Sequence, residues 1–323
     1  MEDKSAIRTD APTGSRDALF MVMAAGAQSG WDLTSFDAQS AYLQSGKIDR
    51  LLILRMPYHQ PPPGMTPGQL LIAAGSIYGT RDAGRAWYQR SREEFIRAGF
   101  VESRLEKGLY NLPGPDGPEA VMHTHVDDCL VAFKKNSPRV EAALRALKQK
   151  LRLQEKRGDI VYCGQSIQVT PSEIRVNQAK AAAGVDRVFI DPKKRRNPED
   201  LLAPAEGSQH RSVLGQLVWL AQQSRPDFCT GVSMAARRTN KATVEGAKTL
   251  NKLAAVARAT PYVGIVMKRN QLNLKTCHVL CYADAAFANV EDVKSQFGAL
   301  TALAHHPDLV RSGRFDLAVM HAW

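Results

Sequence analysis

The most constraining feature of the sequence is a pair of aspartates set inside an apolar segment at residues 121–133. An apolar run leads up to Val126, Asp127 and Asp128 follow, and a second apolar run begins directly after them. Two apolar runs separated by a short polar step predict a β-hairpin with both aspartates at its tip. Adjacent acids repel each other, so the pair must be solvated or bound to a cation.

A third aspartate, Asp37, follows a short strand predicted over 31–36, and a helix predicted over 16–29 precedes that strand. A polar group at a strand end can meet solvent without breaking the sheet. Nucleotide transfer uses two divalent ions about 3.5–4 Å apart, which carboxylates from separate strands can hold. Mg²⁺ prefers oxygen ligands and keeps several waters, so few protein carboxylates suffice. The alternative is that Asp37 caps a helix and that the aspartate pair is ordinary turn chemistry.

The charge balance favours a polyanionic partner. Lys and Arg number 43 against 32 Asp and Glu, which leaves a formal net charge of +11 and a pI near 9.5. A basic surface gains affinity for nucleic acid through the release of counterions. Many globular proteins are basic for solubility alone, so the charge favours nucleic acid without requiring it.

Neither a membrane span nor a disulfide framework is indicated. The chain is 44% apolar and 23% charged, as in soluble globular proteins. The apolar run at 18–27 is too short to cross a bilayer, and no leader peptide is recognisable before it. The five cysteines are odd in number and lack C-x-x-C spacing, which predicts reduced intracellular thiols rather than disulfides or a zinc site.

The rest of the chain is predicted to mix helices and strands in an α+β fold. The predicted elements are helices over 82–98, 138–151, 211–223 and 232–256, two strands within 160–176, and a strand over 278–282 that ends at Asp284. The first of these helices carries Trp87, Phe95 and Ile96 on its apolar side and four arginines elsewhere. A basic run, Lys193–Arg196, lies between prolines and is predicted to be a surface linker.

Several groups of residues form an ordered set of motifs along the chain. They are FDAQSAYLQSG at 36–46, a segment at 77–88 that ends in RAWY, HVDD at 125–128, LGQLVWL at 214–220 with SRPD at 224–227, and YADAAFA at 282–288. In this order they resemble the palm motifs, the connection region and the start of the RNase H domain of copia-type LTR retrotransposon Pol polyproteins. The resemblance to these reverse transcriptases covers nearly the whole chain, and the ordered set is far more specific than any single motif.

The resemblance implies a domain organisation and an activity. It implies partial fingers and a palm over 1–177, a small thumb or linker over 178–203, a connection over 204–275, and a truncated RNase H-like α/β domain over 276–323. The implied activity is RNA-directed DNA polymerisation, in which a primer is extended with dNTPs by a two-metal-ion mechanism. Implied partners are an RNA or DNA template with its primer and the other segments of the Pol polyprotein, with no membrane. The expected compartments are cytoplasmic virus-like particles and, from the basic run, the nucleus.

The resemblance also implies roles for residues of the first palm motif and of the aspartate pair. Asp37, Asp127 and Asp128 would be the catalytic carboxylates that bind two Mg²⁺ ions, for which Mn²⁺ could substitute. The backbone carbonyl of Ala38 is a further candidate ligand. Tyr42 stands where the family places an aromatic gate that stacks under the nucleotide sugar and excludes a 2′-hydroxyl; otherwise it is an ordinary buried aromatic.

Outside these two motifs the resemblance assigns four further residues. Arg85 would support the template or nucleotide region, and Asp284 would be the first carboxylate of an RNase H site. Trp87 and Tyr88 would be packing residues.

Four departures from the family pattern bear on activity. His125 replaces the tyrosine before Val-Asp-Asp and could titrate near neutral pH. Asp82 stands where the family has a glutamine that faces the triphosphate, so its charge is expected to repel the nucleotide, and Gly84 replaces a proline. The sequence also begins after most of the fingers and stops at Trp323, before the remaining RNase H acids, so RNase H activity is not expected.

Two other functions follow from the same features. If Asp82 and the shortened fingers prevent nucleotide binding, the chain would be a catalytically inactive nucleic-acid-binding remnant. A metal-dependent nuclease could use the same acids, but that function leaves the order of the palm motifs unexplained.

Overall fold

The computed structural model describes residues 7–48, 50–191, 197–290, 294–304 and 317–322. Within these ranges, only the backbone is described for residues 287–290, 294–296 and 317–322. The chain divides into two compact units, Met1–Val22 with Asp32–Lys156, and Met23–Trp31 with Arg157–Trp323. Helix α1 (Arg16–Gln28) contributes to both units, and its bounds confirm the helix predicted over 16–29. None of the described helices is both long enough and apolar enough to cross a membrane.

A six-stranded antiparallel sheet with the order β4-β5-β6-β7-β1-β8 forms the centre of the first unit. Its strands are β1 (Asp32–Ala38), β4 (Val101–Glu102), β5 (Leu109–Gly114), β6 (Gly117–His125), β7 (Asp128–Phe133) and β8 (Leu153–Lys156). β6 and β7 form the predicted hairpin, because His125 pairs with Asp128 across a two-residue turn. A separate two-stranded ribbon joins β2 (Ile53–Arg55) to β3 (Leu70–Ile72).

One face of this sheet is covered by helices α2 (Ala83–Arg97) and α3 (Pro138–Lys150). The buried cluster combines Phe36 and Val131 of the sheet with Trp87 of α2 and Leu147 of α3. Burying each such side chain contributes about 1.5–3 kcal/mol. Successive side chains of a strand point to opposite faces. Phe36 and Cys129 belong to the buried cluster, so their neighbours Asp37 and Asp128 lie on the other face of the sheet.

The sequence of α3 explains its bounds. Ser137 caps the helix, since its hydroxyl accepts a hydrogen bond from the Val140 amide at 3.3 Å, and Pro138 occupies the first turn. The buried residues follow the spacing of one helix face and are Val140, Ala143, Leu144 and Leu147. Both predicted helices of this unit are confirmed to within a residue at each end.

One detail predicted for α2 is wrong. Trp87 and Phe95 are buried as expected, but Ile96 is 45% exposed. One residue along a helix is a rotation of about 100°, which carries Ile96 away from the face that buries Phe95.

The second unit contains a four-stranded antiparallel sheet, β12-β11-β10-β9, and a group of helices. The strands are β9 (Asp159–Tyr162), β10 (Gln165–Val169), β11 (Glu173–Asn177) and β12 (Ile265–Lys268); the helices are α4 (Ala179–Ala183), α5 (Pro204–Gln223), α6 (Cys229–Arg237) and α7 (Val244–Ala259). Leu217, Phe228 and Leu250 are central to the buried helical cluster. The basic run Lys193–Arg196 lies outside the described residues.

Three sequence predictions in this unit need correction. The segment 160–176 holds three strands rather than two, because Cys163 and Gly164 both adopt positive φ, 47° and 74°, and reverse the chain in a two-residue hairpin turn. The helix predicted over 232–256 is two helices, since α6 ends before a 3-10 turn and the Thr243 hydroxyl caps α7 by accepting from the Gly246 amide at 3.2 Å. Helix α5 begins at Pro204, before the predicted Arg211, with proline in its first turn.

The described residues between 276 and 323 form a three-stranded antiparallel sheet of β13 (His278–Val290), β14 (Lys294–Ala304) and β15 (Leu317–Ala322), and they contain no helix. The strand predicted over 278–282 is therefore present but longer. Asp284 lies within β13, opposite Gly298, rather than at a strand end.

Candidate active site

The register of the sheet brings two of the three predicted carboxylates together. Asp37 of β1 lies directly opposite Asp128 of β7 in the antiparallel pair. The same register aligns His125 with Asp128 and Asp37 with Gln154, so one polar row crosses four strands. This row lies on the face away from the helix-covered core, where polar groups can meet solvent.

The third carboxylate, Asp127, belongs to the turn itself. Val126 and Asp127 are the two residues between the paired positions of the hairpin, and Val126 has φ 55°. A β-branched residue rarely adopts positive φ, so the surrounding contacts must stabilise the turn. Two contacts do so: the Trp87 indole Nε1 donates to the Val126 carbonyl at 2.7 Å, and the Ala38 amide donates to the Asp127 carbonyl at 2.9 Å.

The three carboxylates raise one another's electrostatic energy. The pKa of Asp128 is above its ordinary value, first because the side chain is half-buried and then because Asp127 and Asp37 carry like charge; Lys156 and His125 act in the opposite direction. A divalent cation would relieve this repulsion, and carboxylate oxygens are the donors that Mg²⁺ prefers. The donor chemistry therefore fits Mg²⁺, although within the described residues no three His, Cys, Asp or Glu side chains are gathered closely enough to hold an ion.

Ala38 and Tyr42 follow Asp37 along the chain. Ala38 is the last residue of β1, and its amide forms the contact with the Asp127 carbonyl described above. Tyr42 lies in a 3-10 turn (Ala41–Gln44), packs partly buried against the core cluster, and has its ring centroid 4.8 Å from that of Tyr78. Tyr42 is thus not fully enclosed, and the ring of a second tyrosine packs against it at an interplanar angle of 60°.

Asp82 has a cationic partner within the chain. The Arg50 guanidinium donates to both oxygens of its carboxylate, Nε to Oδ2 at 2.8 Å and Nη2 to Oδ1 at 3.0 Å. Both side chains are 18% exposed, and the hydrogen bond from Arg50 lowers the pKa of Asp82 below its ordinary value. The negative charge that was expected to repel a triphosphate is therefore compensated by a bidentate pair.

The arginines of α2, including Arg85, are engaged by carboxylates of this unit. Arg85 forms an ion pair with Asp10, whose carboxylate also accepts from Arg8. The other pairs are Arg90–Glu94, Arg92–Glu102 and Arg97 with Glu93 and Glu94. The arginine density of this helix thus serves contacts within the chain.

Asp284 lies on β13 of the three-stranded sheet, whereas Asp37 and Asp128 lie on strands of the six-stranded sheet. Its side chain is exposed, and one oxygen accepts from the Ala285 amide at 2.9 Å. No acidic residue occupies a paired position on the described part of β14.

Three contributors to the site were not predicted from the sequence. Trp87 was expected only to pack, yet its N–H holds the turn; the signal was present, since a buried indole N–H needs an acceptor. Arg50 and Tyr78 gave no such signal, because nothing in the sequence pairs them with Asp82 and Tyr42.

Comparison with known proteins identifies the family of this chain. The family described as Reverse transcriptase (RNA-dependent DNA polymerase) matches residues 3–189, more than half of the chain. The chain is 24% identical over 318 residues to the retrovirus-related Pol polyprotein from transposon RE2 of Arabidopsis thaliana, covering 93% of this chain and 21% of that protein. It is also 24% identical over 324 residues to the corresponding RE1 polyprotein of the same plant, with the same coverage of 93% and 21%.

The chain thus spans about a fifth of the length of these curated relatives. The family match covers all of the predicted palm motifs, from Asp37 to the Asp127–Asp128 hairpin, and the two relatives are aligned over most of the chain. On these grounds the chain belongs to the reverse transcriptase family, as a copia-type retrotransposon Pol segment.

Proposed function

We propose that the chain is an RNA-directed DNA polymerase domain that extends a primer with dNTPs, with Asp37, Asp127 and Asp128 as the carboxylates for two Mg²⁺ ions. The observation that carries this proposal is the register in which Asp37 lies opposite Asp128, directly beside the turn that holds Asp127. Family membership supports the reaction class. Mn²⁺ is an alternative ion, because it also accepts carboxylate and water ligands.

When bound, the ions would lower the pKa of the attacking 3′-hydroxyl and stabilise charge on the leaving pyrophosphate. The chain's own contribution is to present three oxygen ligands from two strands and one turn. The turn contacts from Trp87 and Ala38 limit the movement of the Asp127 backbone. The carbonyl of Ala38 is proposed as a further ligand.

Tyr42, Asp82 and Arg85 are proposed to bind the nucleotide and template. Tyr42 is proposed as the gate beneath the nucleotide sugar, and its partial exposure leaves ring surface for a ligand. Asp82 would act together with Arg50 as a pair without net charge, so a triphosphate would not meet an isolated carboxylate. Arg85, 19% exposed and ion-paired with Asp10, would support this region from α2.

The proposed partners are a template with its primer, RNA or DNA, and the other segments of a Pol polyprotein. The basic net charge of +11 supports binding of a polyanion. A place in virus-like particles or in the nucleus, and the role of Asp284 as a first RNase H carboxylate, remain predictions.

Primer extension on poly(rA)/oligo(dT) with Mg²⁺ or Mn²⁺ tests the function. We expect the double variant Asp127→Asn, Asp128→Asn to lose at least about 100-fold in extension rate, because both ions lose ligands. Asp284→Asn is the control for loss of a carboxylate charge outside the proposed polymerase site, since it makes the same type of substitution at an exposed strand position. No extension by the wild-type chain, together with salt-dependent binding of the duplex that the double variant retains, would contradict the polymerase and support an inactive binding remnant.

A further inference from the structure

Trp87 connects helix α2 to the turn that carries the aspartates. Its side chain is buried, with 3% exposure, and its only polar atom donates to the Val126 carbonyl at 2.7 Å. An indole N–H can donate but cannot accept, so a buried tryptophan is held in one orientation by a single suitable acceptor. Here that acceptor is the backbone of the turn.

The turn itself has a conformation that its sequence does not favour. Val126 has φ 55°, and the residue is 40% exposed, so packing contributes little to holding it there. The two carbonyls of the turn each accept from a different element, Val126 from Trp87 and Asp127 from the amide of Ala38. Without one of these contacts, the Val126 backbone could relax toward a more favourable region.

We propose that Trp87 is a positioning residue for the carboxylate site: its indole N–H fixes the backbone of the Val126-Asp127 turn and so keeps Asp127 and Asp128 beside Asp37, where the three side chains would close around a bound cation. The inference rests on the proposed function for the cation, while the contact itself does not. Ligand geometry tolerates errors of only about 0.5 Å, so a relaxed turn would weaken ion binding without unfolding the sheet.

The first measurement is amide hydrogen exchange of the hairpin tip in Trp87→Phe. The variant keeps an aromatic ring but lacks the donor, so we expect exchange in the segment 124–130 to rise by about 10-fold or more. The matched control is Tyr88→Phe on the same helix, which removes a hydrogen bond of 3.0 Å to Glu102 instead. In this control the tip should exchange at the wild-type rate.

The second measurement is Mn²⁺ affinity, read by electron paramagnetic resonance at a temperature where all variants are folded. We expect binding about 10-fold weaker in Trp87→Phe and unchanged in Tyr88→Phe. Adding Val126→Asn to Trp87→Phe should restore most of the affinity, because asparagine adopts positive φ readily. A purely structural role for Trp87 would lower the unfolding free energy but would leave the affinity of the folded protein unchanged.

The outcomes separate the inference from the proposed function. Wild-type Mn²⁺ binding that is insensitive to Asp128→Asn would overturn the proposed cation site and with it the positioning role. Aspartate-dependent binding that Trp87→Phe leaves intact, or unchanged exchange at the tip, would overturn the inference alone. If Trp87→Phe does not fold, hydrogen exchange of the Trp87 indole N–H in the wild type tests the inference instead. We expect this exchange to slow when Mg²⁺ is added, because the ion and the contact to Val126 favour the same conformation of the turn. An exchange rate that Mg²⁺ does not change would overturn the inference.

Discussion

Lowering the pH from 7.5 to 5 should destabilise the first unit through one buried ring, that of His123. The residue lies on β6, two positions before His125, and is 1% exposed. Its Nε2 donates to the Ser15 carbonyl at 3.1 Å, which fixes the neutral ring in one tautomer. Gly14 packs closely against the ring, since a methyl group added there would come within 2.5 Å of it, and a ring that is 1% exposed would leave a charged imidazole poorly solvated.

The size of the effect follows from the pKa. Burial lowers the pKa of His123 from 6.5 to about 4. Between pH 6.5 and 4 the unfolded chain therefore binds a proton that the folded chain does not bind, so stability falls as the pH falls through this window. The loss from this one group is about 2 kcal/mol at pH 5 and about 3 kcal/mol at pH 4, and it is negligible above pH 7.5.

Urea unfolding of the wild type and His123→Gln at several pH values isolates this contribution. The variant will be the less stable protein at pH 7.5, because glutamine fills the site less well, but it carries no titrating ring. We expect the gap between the two unfolding free energies to shrink by about 2 kcal/mol between pH 7.5 and pH 5. Other titrating groups, such as His210, are common to both proteins and cancel. A gap that stays constant over this range would refute the reasoning.

Three further predictions concern stability. Asp82→Asn should lower the unfolding free energy by about 1–3 kcal/mol, because Arg50 loses its bidentate carboxylate partner. Urea unfolding that gives the same free energy for the variant and the wild type would contradict this contribution of the ion pair. Glu102→Gln should lower the unfolding free energy by about 3 kcal/mol at pH 7, because the 5% exposed carboxylate accepts hydrogen bonds from four side chains. Burial raises the pKa of Glu102, but these hydrogen bonds outweigh burial and lower it, so the stability difference from the wild type should shrink in acid as the wild-type carboxylate protonates. A stability difference that does not change with pH would contradict this prediction. Gly264→Ala should cost about 2 kcal/mol or more in thermal or urea unfolding, because its new carbon would lie 2.0 Å from the Val176 carbonyl, and a wild-type midpoint would contradict the close approach.

Local patterns in the sequence were enough to predict the elements that carry the candidate site. The hairpin of β6 and β7 is encoded by two apolar runs around an aspartate pair, and α3 by its serine cap and helical spacing. Predictions failed where the local signals for a boundary are weak. The turn at Cys163–Gly164 lacks the usual asparagine or aspartate, and the break after α6 contains neither glycine nor proline.

The sequence by itself determined the family, through the order of its motifs, and it predicted which three carboxylates form the candidate site. Only the tertiary structure decided how they are held. The contact from Trp87 to Val126 joins residues 39 positions apart, and the pair of Arg50 with Asp82 joins residues 32 apart. Contacts between residues so far apart in the chain leave no periodic trace in the sequence, because they depend on how strands and helices pack rather than on the preferences of neighbouring residues.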